Sequence, residues 1–212
     1  MHNKNEFMEF MIEAGVLTFG DFTAKSGRKT PYFVNTGNYK TGKHISMLGE
    51  YYADCIMKSG EKFNTLYGPA YKGITLAASA AGALYRLHDV DVPFFFNRKE
   101  EKDHGEGGSI IGYFPKDGDA IAIIEDVVTA GTAVRESMEL LRKIANVTVT
   151  ALYVSVDRME RGTGKLSTLQ ELHEEHGINV YSIIDASDII NSLPEGDDRI
   201  AKMKAYLSEY GA

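Results

Sequence analysis

The chain has 212 residues, of which 43% are hydrophobic and 25% are charged, the composition of an ordinary globular protein. Its 30 acidic and 23 basic residues give a net charge of −7 without any basic arm or stripe, which argues against nucleic acid as a partner. The single cysteine, Cys55, excludes an intramolecular disulfide and a cysteine-rich zinc site. The N-terminus lacks the pattern of a secretory leader, and no apolar stretch approaches the roughly 20 residues that span a bilayer. We therefore expect a cytoplasmic protein with no membrane partner.

The first part of the chain predicts a helix, a β-hairpin and a second helix. The first helix has Asn3 and Glu6 as a possible capping pair and ends near Gly15. Two β-rich segments, 16–22 and 31–35, flank a polar stretch and predict a hairpin or two strands with a loop. The apolar residues at helical spacing are Phe7, Phe10, Met11 and Ala14 in the first helix, and Ile45, Leu48, Tyr52, Cys55 and Ile56 in the second, which Gly60 ends.

From residue 65 onward, predicted strands and helices alternate. Such alternation is typical of a parallel sheet with right-handed crossovers, which binds its ligands beyond the carboxyl ends of the strands. We therefore expect all candidate sites to share one edge, with the early strands forming a lobe over it. The predicted strands are 65–67, 92–96, 120–124, 147–156 and 180–184, and the predicted helices are 74–87, 134–144, 165–176 and 198–210.

The strand 120–124 and the residues after it are the most informative segment. Five apolar residues end in Glu125-Asp126, and the small-residue loop Thr129-Ala130-Gly131-Thr132-Ala133 leads into a helix. Backbone N–H groups and hydroxyls in such a loop can surround a phosphate, while the carboxylates take ribose hydroxyls or a metal-bound water. The alternative is an ordinary strand, turn and helix. Adjacent carboxylates after a buried strand are costly unless they are used, which favours a site for a phosphorylated sugar.

The segment Gly68-Pro69-Ala70-Tyr71-Lys72-Gly73 also follows a strand and precedes a helix. Its small residues permit close approach of an anion to the backbone, and Lys72 adds a positive charge. Gly-Pro turns are common, so a plain strand-to-helix turn is an equal alternative for the hexapeptide alone. Its position at the predicted ligand edge favours the anion site.

Residues 98–108 predict a loop that buries little. Arg98, Lys99, Lys102 and His104 place four cationic or potentially cationic groups in seven residues, and the glycines permit opening and closing. A mobile surface loop without further function is the alternative. We expect a lid that gathers a pyrophosphate.

Arg158 lies just beyond the strand 147–156 and reaches the same edge. An arginine there pairs either with a ligand carboxylate or, inside the protein, with Asp157 or Glu160. Its position alone does not decide between these pairings.

Three other motif matches fail. Residues 162–167 have Leu166 where a P-loop needs Ser or Thr, and Met159 stands where its first glycine belongs. His173 and His176 lack the spacing of a helical zinc protease and predict a solvated helix face. The glycines of 105–112 do not fit a dinucleotide motif followed by a helix, so a dinucleotide-binding fold has no support.

With these segments placed, the chain resembles the type I phosphoribosyltransferase family and, within it, the enzymes that act on orotate. The acidic pair followed by Thr-Ala-Gly-Thr-Ala indicates the wider family, and the other matches indicate the orotate enzymes. The matching segments are Lys25-Ser26-Gly27-Arg28 with Pro31-Tyr32-Phe33, Gly68 to Gly73, Asn97-Arg98-Lys99-Glu100 with Lys102-Asp103-His104-Gly105-Glu106-Gly107, Ile123 to Ala133, and Asp157-Arg158 with Glu160-Arg161-Gly162.

The resemblance implies a single domain over 1–212 with the α/β type I phosphoribosyltransferase fold. This fold has a mostly parallel central sheet flanked by helices, a small N-terminal hood (about 1–40) and a flexible lid loop (about 98–112). The implied reaction is Mg²⁺-dependent transfer of the phosphoribosyl group from phosphoribosyl pyrophosphate (PRPP) to N1 of orotate, giving orotidine 5′-phosphate and pyrophosphate in pyrimidine (UMP) biosynthesis. It also implies a homodimer with shared active sites, and Mg²⁺ held mainly by PRPP and water.

The resemblance assigns roles to individual residues. Glu125 and Asp126 are expected to hold the ribose hydroxyls and, with Lys102 and His104 of the lid, to form the catalytic group. Orotate contacts are expected from Phe33, Val34, Thr129 and Arg158. PRPP contacts are expected from Lys25, Tyr71, Lys72, Arg98, Lys99, Lys102, His104, Glu125, Asp126, Val127, Val128, Thr129, Ala130, Gly131, Thr132 and Ala133.

Two positions depart from the family pattern, and two other functions stay open. Glu125 replaces the more usual Asp, and Val34 stands where an aromatic residue is common, which suggests a slightly looser base pocket. Transfer to a purine or to uracil is one alternative, against which Arg158 and Lys25 argue because orotate alone carries a carboxylate. A PRPP-sensing regulator that grips nucleic acid is the other, against which the net acidity argues.

Overall fold

The computed structural model describes residues 3–24, 27–99, 109–162 and 164–212. Two sheets, of two and six strands, are surrounded by helices. The strands are β1 Leu17–Thr23, β2 Lys29–Val34, β3 Thr65–Tyr67, β4 Phe94–Asn97, β5 Ile110–Gly112, β6 Ala120–Glu125, β7 Thr148–Asp157 and β8 Asn179–Asp185. The α-helices are α1 Lys4–Glu13, α2 Gly42–Ser59, α3 Lys72–His88, α4 Thr132–Ile144, α5 Thr168–His176, α6 Ala186–Ser192 and α7 Asp198–Tyr210.

The larger sheet has the strand order β5-β4-β3-β6-β7-β8. All neighbouring pairs are parallel except β4 and β5, which are antiparallel. The carboxyl ends of the parallel strands therefore lie along one edge, where the expected phosphate loop and glycine turn both begin. The predicted fold class, a mostly parallel sheet flanked by helices, is confirmed.

The central strand β6 explains why its apolar residues are unbroken. Ile121 and Ile123 face a core formed with α4 and α5, while Ala122 and Ile124 face the larger core formed with α1, α2 and α3. All four residues have relative exposures of 0%. A strand buried on both faces has no solvent face and needs no polar alternation.

The N-terminal segment forms the predicted helix and hairpin. Asn3 and Glu6 make a reciprocal capping box on α1. Strands β1 and β2 pair antiparallel, with Leu17 opposite Val34, as a sheet separate from the larger one. Leu17 and Tyr32 are fully buried in the larger core, so their burial anchors the hairpin to the rest of the chain.

Three details of the sequence prediction are wrong. Lys29 and Thr30 belong to β2 rather than to the polar loop. The short strand β5 lies inside the range expected for the lid, where it pairs with β4. The backbone N–H of Arg98 donates to the Ser109 carbonyl (2.7 Å), which extends this pairing. Helix α6 was not predicted. The three residues of β5 and the seven of α6 show no clear period in the sequence. Both elements depend on tertiary contacts for their stability.

Of the helices that the structure describes, none has both the length and the apolar character that a membrane crossing requires. Several predicted site residues lie outside the described part of the chain. They are Lys25 and, within the segment 100–108 of the expected lid, Lys102 and His104.

Candidate active site

The loop after β6 begins at two carboxylates and ends at the start of α4. The backbone carbonyl of Asp126 accepts hydrogen bonds from both the backbone N–H (2.8 Å) and the hydroxyl (2.7 Å) of Ser155 on β7. Val127 and Val128 are half-buried against the two opposite cores. Gly131 immediately precedes α4 with a φ of +73°, a left-handed conformation that favours glycine. The exposed loop residues are Thr129, Ala130, Thr132 and Ala133.

Asp126 is at the centre of a three-residue polar cluster. Its Oδ2 atom lies 2.7 Å from Lys72 Nζ and 2.5 Å from the Thr36 hydroxyl, and Lys72 Nζ also lies 2.8 Å from that hydroxyl. The Asp126 side chain is 15% exposed and that of Lys72 is 60% exposed. The lysine side chain is therefore accessible to a ligand while the carboxylate is held against the protein.

Glu125 is in a different electrostatic environment from its neighbour. The pKa of Glu125 is raised to about 7, mainly by burial and next by the charge of Asp126, while the backbone N–H of Asp126 and the Lys72 cation oppose the shift. The hydroxyl of the buried Tyr52 donates to the backbone carbonyl of Glu125 (2.6 Å), which secures the strand end. Near neutral pH the two adjacent carboxylates thus differ, one paired with a cation and one close to its midpoint of titration.

The turn 68–73 is more specific than a plain strand-to-helix turn. A Cβ atom on Gly68 would lie 2.0 Å from the Gly73 carbonyl oxygen, and a Cβ atom on Gly73 would lie 2.7 Å from the Gly68 carbonyl carbon. The Asn97 side-chain oxygen accepts from the Ala70 backbone N–H and from the Tyr67 hydroxyl, both at 2.9 Å. Glycines and one asparagine therefore define the turn that presents Lys72 at the start of α3.

Tyr71 and Lys99 lie together at this edge. The Tyr71 side chain is highly exposed, and Lys99 Nζ lies 5.1 Å from its ring centroid, within cation–π distance. Lys99, the last described residue before the segment 100–108, thus contacts the glycine turn. This contact is consistent with the prediction that the turn and the lid serve one ligand.

Arg158 lies inside the protein rather than on its surface. The guanidinium is 4.3 Å from the centroid of the Tyr32 ring, and its Nη2 donates to the Thr30 hydroxyl (3.2 Å). Its Nε donates to Glu160 Oε1 (2.7 Å), so the internal pairing with Glu160, left open by the sequence, exists in this structure. The neighbouring Phe33 is 45% exposed and its ring contacts that of Phe22, with 5.6 Å between centroids. Val34 is half-buried against the larger core.

The structure brings together most of the described candidate residues. Lys72 and Asp126 are in direct contact, and the loop through Ala133 lies beside them at the same edge. Three residues that position this cluster were not predicted, namely Thr36, Tyr52 and Asn97. Asn97 carried a signal in the resemblance, whereas Thr36 and Tyr52 carried none, because their contacts depend on how distant segments pack.

Among the described residues, no group of three or more His, Cys, Asp or Glu side chains is placed to hold a metal ion. At this edge of the sheet, the carboxylates of Glu125 and Asp126 are suitable donors, because their hard oxygens match the preference of Mg²⁺. Two carboxylates fit an ion that keeps most of its other ligands from a phosphate and water.

Comparisons with known proteins agree with this geometry. The family described as "Phosphoribosyl transferase domain" matches residues 35–186. The orotate phosphoribosyltransferase of Photorhabdus laumondii is 46% identical over 211 residues, 98% of each chain. The solved orotate phosphoribosyltransferase of Francisella tularensis has a TM-score of 0.89 and 36% identity, and the match covers 98% of this chain and 100% of that one. An orotate phosphoribosyltransferase of Mycobacterium tuberculosis shares the fold, with a TM-score of 0.63 and 16% identity. The match covers 88% of this chain and 98% of that one.

The family match covers well over half of the chain, and the two full-length relatives named above are both orotate phosphoribosyltransferases. The predicted resemblance, including its orotate branch, is confirmed. The chain belongs to the phosphoribosyltransferase family and, within it, to the orotate phosphoribosyltransferases.

Proposed function

We propose that this enzyme transfers the phosphoribosyl group of PRPP to N1 of orotate in a Mg²⁺-dependent reaction, giving orotidine 5′-phosphate and pyrophosphate. The observation that carries the proposal is the contact of Lys72 with Asp126 at the mouth of the loop 125–133. This contact places a cation suited to a polyphosphate, Lys72, beside a carboxylate suited to sugar hydroxyls, Asp126, at one edge of the sheet. The Mycobacterium tuberculosis structure of the same fold is a complex with PRPP, which supports the choice of donor.

The two ends of PRPP are assigned to different elements. The loop Thr129–Ala133 takes the 5-phosphate through its backbone N–H groups and hydroxyls, and Glu125 and Asp126 take the ribose hydroxyls. The pyrophosphate lies towards the glycine turn and the lid. Its proposed partners are Lys25, Tyr71, Lys72, Arg98, Lys99, Lys102 and His104.

The base lies between the hairpin and the end of β7. The exposed ring of Phe33 offers a surface on which a flat heterocycle stacks, with Val34 and Thr129 beside it. Arg158 supplies the cation for the orotate carboxylate. Its guanidinium is oriented by Tyr32, Thr30 and Glu160, and the orotate carboxylate would share it with Glu160.

The chemistry exchanges one bond at ribose C1′ for another. A bond forms between orotate N1 and C1′ as the bond from C1′ to the pyrophosphate oxygen breaks. Pyrophosphate leaves with that electron pair, and the proton of orotate N1 passes to pyrophosphate or to solvent water. The ring gains positive charge in the transition state, which the carboxylates of Glu125 and Asp126 stabilise. Lys72 and the lid cations Lys102 and His104 stabilise the departing negative charge, and lid closure excludes water.

Bound Mg²⁺ supplies further charge neutralisation at the pyrophosphate and the ribose oxygens. Glu125 and Asp126 would hold it, mainly through its water ligands. We further propose that the protein works in the cytoplasm, in pyrimidine biosynthesis, as a homodimer whose sites share lid residues.

The test follows absorbance while PRPP and Mg²⁺ are mixed with orotate, uracil, hypoxanthine or adenine in turn. We expect turnover with orotate alone, and loss of turnover when Mg²⁺ is chelated. Turnover with any other base, or with orotate in the absence of divalent ions, would contradict the proposal. Light scattering of the same sample tests the dimer.

A further inference from the structure

Two carbonyl groups of the loop 125–133 are held from outside the loop. The Thr168 hydroxyl, on the first residue of α5, donates to the Thr129 carbonyl (2.6 Å). Arg135 Nη1, in the first turn of α4, donates to the Ala130 carbonyl (2.7 Å). Thr168 is 8% exposed, so its bond is shielded from competing water.

The direction of these carbonyls determines the direction of the next two amides. In a trans peptide unit the C=O of one residue and the N–H of the next point in opposite directions. The cis bond recorded among the described residues is Ala70–Tyr71, so the units after Thr129 and Ala130 are trans. With both carbonyls drawn towards α5 and α4, the N–H groups of Ala130 and Gly131 point the opposite way.

The donors themselves are held firmly. Arg135 Nε and Nη2 bind the two carboxylate oxygens of Glu175 at 2.8 and 3.0 Å, a bidentate geometry that orients the guanidinium plane. A Cβ atom on Gly131 would lie 2.7 Å from Arg135 Nη1 and 2.9 Å from Thr168 Cγ2. The same two side chains thus pack directly against the glycine that ends the loop.

We propose that Thr168 and Arg135, the latter held by Glu175, are positioning residues that aim the Ala130 and Gly131 amides at the 5-phosphate of PRPP. The inference rests on the proposed function of the loop as a phosphate site. It gives helix α5, which carries none of the expected substrate contacts, a role in substrate affinity. The chemical group recognised is a phosphomonoester dianion, which gains from amides that are oriented before it binds.

The primary test compares Thr168→Val with Thr168→Ser and with wild type. Calorimetry measures ribose 5-phosphate and pyrophosphate binding, and steady-state kinetics measure kcat and the KM values for PRPP and orotate. We expect Thr168→Val to weaken ribose 5-phosphate and raise the PRPP KM by about tenfold, the effect of one hydrogen bond of this kind. Pyrophosphate binding and the orotate KM should stay near wild type, and Thr168→Ser should restore ribose 5-phosphate binding.

The matched control is Thr150→Val, which removes a threonine hydroxyl whose contact is to the Ile121 carbonyl (3.5 Å) at the other end of β7. It should leave every binding constant unchanged. The Arg135 arm is tested by Glu175→Gln, which weakens the bidentate pair and should weaken ribose 5-phosphate by about threefold, since one charge-assisted contact becomes neutral. If Thr168→Val does not fold, Glu175→Gln decides.

Two failures are distinguishable. Wild type that binds neither PRPP nor ribose 5-phosphate contradicts the proposed function of the loop. Wild type that binds both, with folded Thr168→Val and Glu175→Gln variants of unchanged affinity, overturns the positioning role alone. Equal losses for ribose 5-phosphate, pyrophosphate and orotate also overturn it, because they indicate a general structural defect.

Discussion

The two strand-to-helix turns at the ligand edge are built in opposite ways. The turn 68–73 is determined mainly by its own sterics, because Gly68 and Gly73 pack backbone against backbone and leave no space for a side chain, and Asn97 on β4 adds one acceptor for its Ala70 amide. The loop 125–133 is open and exposed at its tip, and donors on β7, α4 and α5 hold its carbonyls. A turn that presents a charged side chain is made rigid by sterics, whereas a loop that presents its own backbone depends on its surroundings.

Gly68→Ala tests the steric half of this comparison and should have the largest effect. The new methyl would meet the Gly73 carbonyl, which is backbone and cannot move aside. We expect a loss of about 3 kcal/mol or more in the free energy of unfolding, measured by urea titration. Gly82→Ala is the matched control, since nothing lies within 4 Å of its Cβ, and it should stabilise α3 by about 0.5–1 kcal/mol. Equal stability of the two variants would remove the steric argument.

Lys102→Ala tests whether the two turns can stabilise the departing pyrophosphate without the lid. We expect kcat to fall by about 100-fold, the usual effect of removing one contact that acts mainly in the transition state. Orotate affinity should change little, which equilibrium binding measures. A kcat near that of wild type would show that Lys72 and the glycine turn stabilise the pyrophosphate without the lid.

Asn97→Ala removes a side chain on β4 that supports the glycine turn. The Ala70 amide and the Tyr67 hydroxyl would each lose their acceptor, and we expect a loss of about 1–3 kcal/mol in the free energy of unfolding. The PRPP KM should rise in parallel because Lys72 follows this turn. Asn179→Ala, on the exposed start of β8, is the control: it removes a solvent-exposed hydrogen bond to Glu61 (2.7 Å) and should change stability by less than about 0.5 kcal/mol. A stable Asn97→Ala variant with an unchanged KM would mean that the glycines alone determine the turn.

Glu125→Gln tests the difference between the two adjacent carboxylates, and its effect on the free energy of unfolding depends on pH. The pKa of Glu125 in the folded protein is raised by burial to about 7, from an ordinary 4.5. Between these values the folded state keeps a proton that the unfolded state has lost, so the free energy of unfolding falls as pH rises and levels off above pH 7. The glutamine variant lacks this slope.

Urea unfolding of wild type and Glu125→Gln across that pH range measures the effect. The stability of wild type relative to the variant should decline from the acidic end to the neutral end. A constant difference would show that Glu125 ionises normally and that the two adjacent carboxylates are equivalent.

Sequence patterns predicted most elements of the alternating part of the chain but missed β5 and α6. Helix α7 and strand β3 were predicted with their observed bounds, and β6 within one residue. The residues of β5 were placed inside the lid, because they follow a charged, glycine-rich segment and their pairing with β4 supplies the stabilisation. The Arg158 pairing stayed open because two carboxylates adjoin it in sequence, and only the fold turned Glu160 rather than Asp157 towards it.

The sequence by itself determined the fold class, the family and the position of the loop 125–133 between a strand and a helix, because these depend on local features: a buried run, adjacent carboxylates and small residues before a helix. The tertiary structure decided how the loop is held, how Glu125 differs from Asp126, and that Thr36 joins Lys72 at the site. Those properties depend on burial and on contacts between residues tens of positions apart, which no local pattern encodes.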